Sequence, residues 1–296
     1  MKIKIGTRKS ALAMSQTNII LDLLKSEFPD LNFEIVPIVT KGDKVLDRPL
    51  IKIGGKGIFI KEIESALLNG EIDIAVHSAK DLPVSLPENL EISAVPERKK
   101  TMGFVEDSLV FPEGKEYKKT DRFIIGTGSS RRKFQLKLLY PNAEFKEIRG
   151  NVGTRIDKML KGEYDALALS YAGLMRLKIE NEKPISIKIL DKFDVVPAPC
   201  QGLIAVETRK GSEVGRIVAK INDSDTMLEF ALMREVSRKL DADCTDPLAD
   251  LAEINGEKMN FYFRSENGLQ CFNYPKNSLR DLIYNVCQDL GREWNG

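Results

Sequence analysis

The sequence predicts two α/β units followed by a small α+β module. The first half of the chain alternates short apolar strands with amphipathic helices, and the same alternation restarts near Arg122. The tail changes to short strands around Asn255-Gly256 and Asn267-Gly268, both typical hairpin turns, before a closing helix. Because strands that alternate with helices build βαβ units, we expect a mainly parallel sheet in each α/β unit.

Hydrophobic periodicity places the individual elements. In the first unit it predicts strands at 2–5, 33–39 and 73–76 and helices at 11–28 and 58–68, with Ser10 as the N-cap of the first helix. In the second unit it predicts strands at 122–126, 145–148 and 166–169 and helices at 129–139 and 151–161. A connector at Pro197 and Pro199 leads to a strand at 203–208 and helices at 213–221 and 226–240. The tail is predicted to hold strands at 248–254, 259–263 and 269–272 and a helix at 278–290.

Length and charge exclude several classes of protein. At about 150 residues per domain, 296 residues suggest two domains, or three. Lys and Arg number 45 against 44 Asp and Glu, which argues against a nucleic-acid coat because such a protein carries a large basic excess. No apolar run reaches the roughly 18 residues of a membrane span. The first six residues resemble a strand rather than a signal peptide, so we expect a cytoplasmic protein.

Three loops place cations at the predicted starts of helices. They are residues 7–10 (TRKS), 126–132 (GTGSSRR) and 149–155 (RGNVGTR). The helix dipole disfavours a cation there by a few tenths of a kcal/mol or more, whereas free N–H groups and Arg side chains at a helix start suit an anion. A solvated surface arginine explains any one loop. Three such loops, each after a strand, favour an anion-binding cleft at the carboxyl ends of the sheets.

The segment 73–83 (DIAVHSAKDLP) brings a carboxylate to the end of a predicted buried strand. In a basic cleft Asp81 would stay ionised and could stabilise a developing cation, although an Asx turn before proline explains it equally well. His77, the single histidine, is interpreted as a hydrogen-bonded structural side chain. With one histidine and no C-x-x-C pair, no metal site is predicted. Residues 52–57 (KIGGKG) lack a P-loop ending and are interpreted as a mobile lid or loop rather than a nucleotide site.

Eight stretches together identify a family resemblance. They are GTRKSALAMSQ, VPIVTKGD, GGKGIFIKEIE, DIAVHSAKDLP, GTGSSRRKFQL, IRGNVGTRIDKM, EYDALALSYAGLMRL and PAPCQGLIAVE, in order over roughly the first 210 residues. With them the chain resembles porphobilinogen deaminase (hydroxymethylbilane synthase). The resemblance implies a monomeric, cytoplasmic transferase without metal, nucleic-acid or membrane partner. It would condense four porphobilinogen units head to tail with loss of ammonia on a covalent dipyrromethane cofactor, then release hydroxymethylbilane by hydrolysis.

The same resemblance implies a domain division. It implies two doubly wound α/β domains like type II periplasmic binding proteins, plus a small α+β C-terminal domain. Domain 1 would comprise residues 1–97 with 198–218, domain 2 residues 98–197, and domain 3 residues 219–296.

Motif by motif, the resemblance also implies site residues. Asp81 falls on the catalytic aspartate, which assists loss of the amino group and stabilises the cationic azafulvene intermediate. The positions that hold the cofactor correspond to Lys80, Asp81, Thr127, Ser129, Arg131, Arg132 and Asn151. Those that bind the incoming substrate or growing chain correspond to Arg8, Ser10, Arg149, Arg155 and Arg176. The active-site loop and the helix after it would include Lys52, Lys56 and Phe59.

The resemblance implies Cys244 as the cysteine that holds the cofactor through a thioether. The family usually has Gly-Gly before this cysteine, but residues 240–248 read LDADCTDPL, so the proline is retained and the glycines are not. The flanking acids disfavour the thiolate form of Cys244. Cys200, at a position where the family commonly has Gly, is the rival, and Cys271 and Cys287 are expected in the core. Two alternatives follow: a non-catalytic bilobal module that binds small polyanions, and a homologue impaired in cofactor attachment.

Overall fold

The structure, a computed structural model, describes residues 2–40, 60–240 and 248–291. Its strands are β1 (Lys2–Arg8), β2 (Asn32–Ile38), β3 (Ile74–Ser78), β4 (Leu90–Ala94), β5 (Asp107–Pro112), β6 (Ile124–Gly126), β7 (Glu144–Lys146), β8 (Ala166–Ser170), β9 (Ile185–Ile189), β10 (Ile204–Arg209), β11 (Ala249–Asn255), β12 (Lys258–Ser265) and β13 (Gly268–Pro275). Its helices are α1 (Ala11–Glu27), α2 (Lys61–Leu68), α3 (Ser130–Leu139), α4 (Val152–Leu160), α5 (Tyr171–Leu177), α6 (Glu213–Val218), α7 (Ser224–Lys239) and α8 (Leu279–Asp289).

Two five-stranded sheets form the α/β part of the molecule. Their strand orders are β2-β1-β3-β10-β4 and β7-β6-β8-β5-β9. In the first sheet β1 runs parallel to β2 and β3, while β10 runs antiparallel to β3 and β4. In the second, β6 runs parallel to β7 and β8, while β5 runs antiparallel to β8 and β9. The two doubly wound α/β units are therefore confirmed, together with the smaller α+β module that follows them.

The expectation of mainly parallel sheets is wrong in one respect. Half of the neighbouring strand pairs in each sheet are antiparallel, because each sheet contains one strand that runs against the others beside a crossing of the chain. β5 is the first strand after the chain crosses into the second unit, and β10 is the first after it returns. The sequence prediction also missed β4, β5 and β9.

The third unit is an antiparallel meander, β11-β12-β13, covered by helices α7 and α8. Both predicted hairpins are present, but each loop is offset by one residue from its Asn-Gly pair. Asn255 pairs with Lys258 and Ser265 pairs with Gly268, so the two-residue loops are Gly256-Glu257 and Glu266-Asn267. Its apolar core includes the fully buried Phe261 and Leu282. At roughly 1.5–3 kcal/mol for each buried side chain of this kind, this core supplies much of the unit's stability.

Two further sequence interpretations can be compared with the structure. Ser10 caps α1 as predicted, since its Oγ accepts from the Ala13 N–H at 3.3 Å. Cys200 and Cys287 are buried, but Cys271 is exposed on β13, so the expectation that it lies in the core is wrong. It lies on the outer face of the terminal strand of a three-stranded sheet. No helix in the part of the chain that the structure describes is long and apolar enough to cross a membrane.

The two crossing segments between the α/β units touch backbone to backbone. Gly202 has φ +85°, and a Cβ built there would lie 2.4 Å from the Phe104 carbonyl oxygen and 2.8 Å from that of Gly103. Arg176 joins the same segments because its guanidinium donates to the carbonyls of Thr101 and Gly202. Glycine at 202 is thus required both by its backbone conformation and by the close approach.

We predict that Gly202→Ala lowers the free energy of unfolding by about 3 kcal/mol, because strain and a backbone clash add. The matched control is Gly114→Ala, where φ is +73° and nothing lies within 4 Å. The control should cost only about 1 kcal/mol, the usual penalty of the left-handed conformation. Denaturant unfolding measures both, and equal losses would show that the crossing is not tightly packed.

Candidate active site

The cationic loops lie at helix starts, as the sequence indicated. Ser129 caps α3, with its Oγ accepting from the Arg132 N–H at 3.4 Å. Asn151 caps α4, with its Oδ1 accepting from the Thr154 N–H at 2.9 Å. Neither helix has an acidic residue in its first turn. Both starts therefore keep the positive end of the helix dipole and free N–H groups available for an anion.

Asp107 neutralises part of this charge from the start of β5. Its carboxylate lies 2.7 Å from both Arg131 Nη1 and Arg132 Nη2, and it is wholly buried. Burial on its own would raise the pKa of the Asp107 carboxyl, but the charges of the two arginines hold that pKa well below its usual range. One carboxylate thus faces two guanidiniums, and the cluster keeps a net positive charge.

Arg131 and Arg132 also bind backbone, which fixes their orientation. Arg131 Nη1 donates to the Val196 carbonyl at 2.7 Å, and Arg132 Nη1 donates to the Ala168 carbonyl at 3.2 Å. Both residues are more than nine-tenths buried. A guanidinium held in this way presents a fixed fork, which suits a carboxylate ligand better than a mobile lysine would.

A cavity of about 260 Å³ opens beside this cluster. It brings together side chains from both α/β units and from α7. Its wall includes Lys80, Asp81, Ser129, Arg131, Arg132 and Cys200. The structure therefore joins five of the residues singled out in the sequence, together with the rival cysteine, around one space.

Lys80 brings a further cation to the cavity. Its Nζ lies 3.4 Å from Gln201 Oε1. Burial lowers the pKa of the Lys80 ammonium to about 8, and repulsion from Arg132 contributes, against the attraction of Asp81 and Asp107. A carboxylate ligand beside this ammonium would stabilise its charged form and raise its pKa again.

Asp81 is exposed at the end of a single 3-10 turn, Ala79–Asp81, that follows β3. The turn is held from below, since the Ala79 N–H donates to the Leu203 carbonyl at 3.0 Å and the side chains of Ala79 and Leu82 are buried. These anchors leave the Asp81 carboxylate directed away from the core, where a ligand in the cavity can reach it.

Arg149 and Arg155, predicted to bind substrate, are not among the residues that line this cavity. Arg155 donates to the Gly150 carbonyl at 2.7 Å, and burial together with repulsion from Arg132 and Arg149 lowers the pKa of its guanidinium to about 10. Arg149 forms an ion pair with Glu147. These arginines therefore share the electrostatic field of the cluster around Asp107.

Thr127 is buried next to the cap of α3, and its Oγ1 accepts from the Ser129 N–H at 3.2 Å. Arg8 and Ser10 lie at the end of β1 and the start of α1. Arg176 is more than nine-tenths buried at the crossing of the chain, and burial lowers the pKa of its guanidinium to about 10. Lys52, Lys56, Phe59 and Cys244 lie outside the described residues.

His77 has the structural place that the sequence suggested. Its Nε2 lies 3.0 Å from Glu207 Oε2, and both side chains are buried between β3 and β10. The imidazole therefore links two strands and does not line the cavity.

Four residues at or beside the site were missed in the sequence. Asp107 precedes a short apolar run, a signal that could have marked it. Gln201 lies within a recognised motif, but nothing in that motif assigned it a role. Arg234 and Ser237, both on α7, line the cavity and carry no motif at all.

Comparison with known proteins places these residues in a family. The family model described as porphobilinogen deaminase, dipyrromethane cofactor binding domain, matches residues 3–216. The porphobilinogen deaminase of Acetivibrio thermocellus is 42% identical over 270 residues, covering 90% of this chain and 89% of that protein. That of Streptococcus sanguinis is 43% identical over 258 residues, covering 86% and 83%.

A solved structure, the periplasmic VFT2 domain of BvgS from Bordetella pertussis, aligns with 79% of this chain and 92% of that one at 18% identity, with a TM-score of 0.41. The family match and the two curated relatives decide the assignment. The chain belongs to the porphobilinogen deaminase family, transferases of tetrapyrrole biosynthesis that condense porphobilinogen on a dipyrromethane cofactor.

Proposed function

We propose that the cavity beside Asp107 is the deaminase site and that Asp81 is its catalytic carboxylate. The observation that carries the proposal is the meeting of Lys80, Arg131 and Arg132 with an exposed Asp81 around one space. Each porphobilinogen ring carries two carboxylates, so the ligands of this enzyme are polyanions. A cavity whose cations outnumber its acids suits such ligands.

The donor set fits the dipyrromethane cofactor. Its acetate and propionate arms need several charged donors, which Lys80, Arg131 and Arg132 provide, with Thr127, Ser129 and Asn151 at the two helix starts. Ser237 offers a further donor, since its buried Oγ has no hydrogen-bond partner in the part of the chain that the structure describes. When bound, the cofactor supplies the primer that is extended.

Asp81 would act on the substrate as ammonia leaves. Loss of the amino group leaves positive charge on the pyrrole, and a carboxylate fixed beside that charge stabilises it. The short turn and its buried neighbours hold the Asp81 backbone in place before the substrate arrives, so little reorganisation is required at the moment of reaction.

The incoming pyrroles would be held by Arg8, Ser10, Arg149 and Arg155. Support comes from the mutual repulsion of Arg132, Arg149 and Arg155, which a bound polyanion would relieve. Arg176 belongs to this set by motif, and its contacts suggest that it also holds the two crossing segments together.

The domain division proposed is 1–97 with 198–218, then 98–197, then 219–296. The positions of β5 and β10 beside the two crossings support it. We further propose that the protein is cytoplasmic and that it is a monomer. Light scattering of the purified protein tests the monomeric state. Cys271 and Cys287 are free thiols, the state expected in a reducing compartment.

Asp81→Asn should lower kcat at least about 100-fold, because the amide keeps the shape of the side chain and loses the charge. Steady-state turnover of porphobilinogen measures this. The exposed Glu88→Gln on the same loop is the control and should stay near wild type. Turnover of Asp81→Asn above a tenth of wild type would rule out the proposed role.

Cys244 is proposed as the attachment point, with Cys200 as the rival. Cys200 lines the cavity but is 2% exposed, and its Sγ lies 3.8 Å from the Phe230 carbonyl. We expect the intact mass of the purified protein to exceed the chain by one dipyrromethane. Cys244→Ala should lose that addition and Cys200→Ala should keep it. The opposite pattern would assign the cofactor to Cys200.

Lys80 should make cofactor acquisition sensitive to pH. With a pKa of about 8 its ammonium is charged below that pH and loses its proton above it, so carboxylate binding weakens as pH rises. We expect apoprotein incubated with porphobilinogen to gain the cofactor mass more slowly as pH passes 8. Lys80→Arg should shift this decline to higher pH, while the exposed Lys133→Arg should not. An unshifted decline in Lys80→Arg would assign it to another group.

A further inference from the structure

Arg234 connects helix α7 to the turn that carries Asp81. Its Nη2 donates to the backbone carbonyls of Pro83 and Val84, each at 2.7 Å. These carbonyls lie two and three residues after Asp81, where the chain has left the 3-10 turn and does not yet form β4. A single guanidinium nitrogen thus holds the residues that follow the turn. The first residue of the turn, Ala79, is held by its own hydrogen bond to the Leu203 carbonyl.

The position of Arg234 is itself well determined. The guanidinium carbon lies 5.3 Å from the centre of the Phe230 ring, one helical turn earlier in α7. Phe230 is buried in the same apolar core as Ala79 and Leu82, which flank the turn. Burial lowers the pKa of the Arg234 guanidinium, which stays charged at neutral pH. Ring, core and helix therefore hold the side chain that in turn holds Pro83 and Val84.

Helix α7 also leads toward the proposed attachment point. It ends at Lys239, five residues before Cys244. The same helix that contacts the Asp81 turn through Arg234 therefore precedes the segment proposed to carry the cofactor.

We propose that Arg234 is a positioning residue: it holds the turn that carries Asp81 in a fixed position relative to helix α7. This inference rests on the proposed catalytic role of Asp81. Two other roles would give different results. A ligand-binding arginine would act mainly on KM through its charge, and a purely structural arginine would act on stability alone.

Arg234→Met tests the inference because it keeps much of the side-chain volume and removes both hydrogen bonds. We expect kcat to fall about 10- to 100-fold, since displacements near 1 Å cost rates of this size. KM should change less than about threefold, because the substrate-binding arginines are untouched. The intact mass should still show the cofactor. A normal kcat, or a loss confined to KM, would overturn the proposal.

Two further variants distinguish a positioning role of Arg234 from an effect of its charge and from an effect on the stability of α7. Arg234→Lys keeps the charge but reaches less far, so it should restore less than half of the lost kcat; full rescue would indicate a charge role instead. Arg238→Met, one turn further along α7 and exposed, removes only the ion pair with Glu235. It should leave kcat within twofold of wild type, and a loss equal to that of Arg234→Met would overturn the proposal.

Hydrogen exchange of the purified protein with its cofactor gives a readout that does not depend on turnover. In Arg234→Met, peptides covering residues 82–90 should exchange faster than in wild type or in Arg238→Met, because the exit of the turn is released. Unchanged exchange in that region would contradict the positioning role even if activity fell.

A double-mutant cycle links the inference to Asp81 while keeping the two proposals separable. If Arg234 acts through Asp81, then Arg234→Met should reduce the residual turnover of Asp81→Asn by less than twofold. If Asp81→Asn is impaired and the double mutant loses turnover by the product of the two single losses, the inference is overturned and the proposed function stays intact. A fully active Asp81→Asn would overturn the role of Asp81, and the coupling with it.

Discussion

The buried contact of Asp107 with Arg131 and Arg132 is the constraint on which the rest of the site depends. Two guanidiniums at the start of α3 would repel each other and oppose the helix dipole if they were buried without a counter-charge. Asp107 supplies that counter-charge from the first strand after the chain crosses between the α/β units. Gln201, on the returning segment, donates to the same carboxylate at 3.1 Å and to the Val105 carbonyl at 2.8 Å. The electrostatic centre of the site is therefore also the place where the two crossings are joined.

This arrangement explains why a cluster of cations can persist in a folded protein without a ligand. The single negative charge of Asp107 balances one of the two guanidinium charges. Backbone carbonyls hold both guanidiniums in fixed orientations, so the remaining positive charge has a fixed position. Lys80 and Arg155 lie in the same field, and burial lowers the pKa of each side chain. A polycarboxylate that enters would stabilise the charged forms of both side chains and relieve the repulsion among the cations. The carboxylates of the ligand would then supply the negative charges that balance the remaining cations of the site.

The sequence predicted the elements that local periodicity specifies and missed those that tertiary contacts specify. The cap at Ser10 was predicted because a cap is a local pattern. Ser129 and Asn151 were predicted as the first residues of their helices, and the structure shows that they are the N-caps. The antiparallel direction of β5 and β10 could not be predicted, since it is decided by where the chain crosses and not by the strand itself. Asp107 is a similar case. Its partners lie 24 and 25 residues away in sequence, and nothing local shows that the carboxylate is buried between two arginines.

The third unit shapes the site more than its separate place in the sequence suggests. Its apolar core is shared with the Asp81 turn, because Ala79 and Leu82 pack in the same cluster as Phe230 on α7 and Phe261 on β12. Glu229, on α7 beside Phe230, accepts from Arg98 at 3.1 Å and from the Ile254 N–H at 2.8 Å, so the first crossing, the helix and the meander meet at one carboxylate. Burial raises the pKa of Glu229 while Arg98 opposes the rise. The core that supports the Asp81 turn therefore belongs partly to the third unit, and the turn depends on that unit for its packing. The small unit thus supports the candidate site and also contains the proposed attachment cysteine.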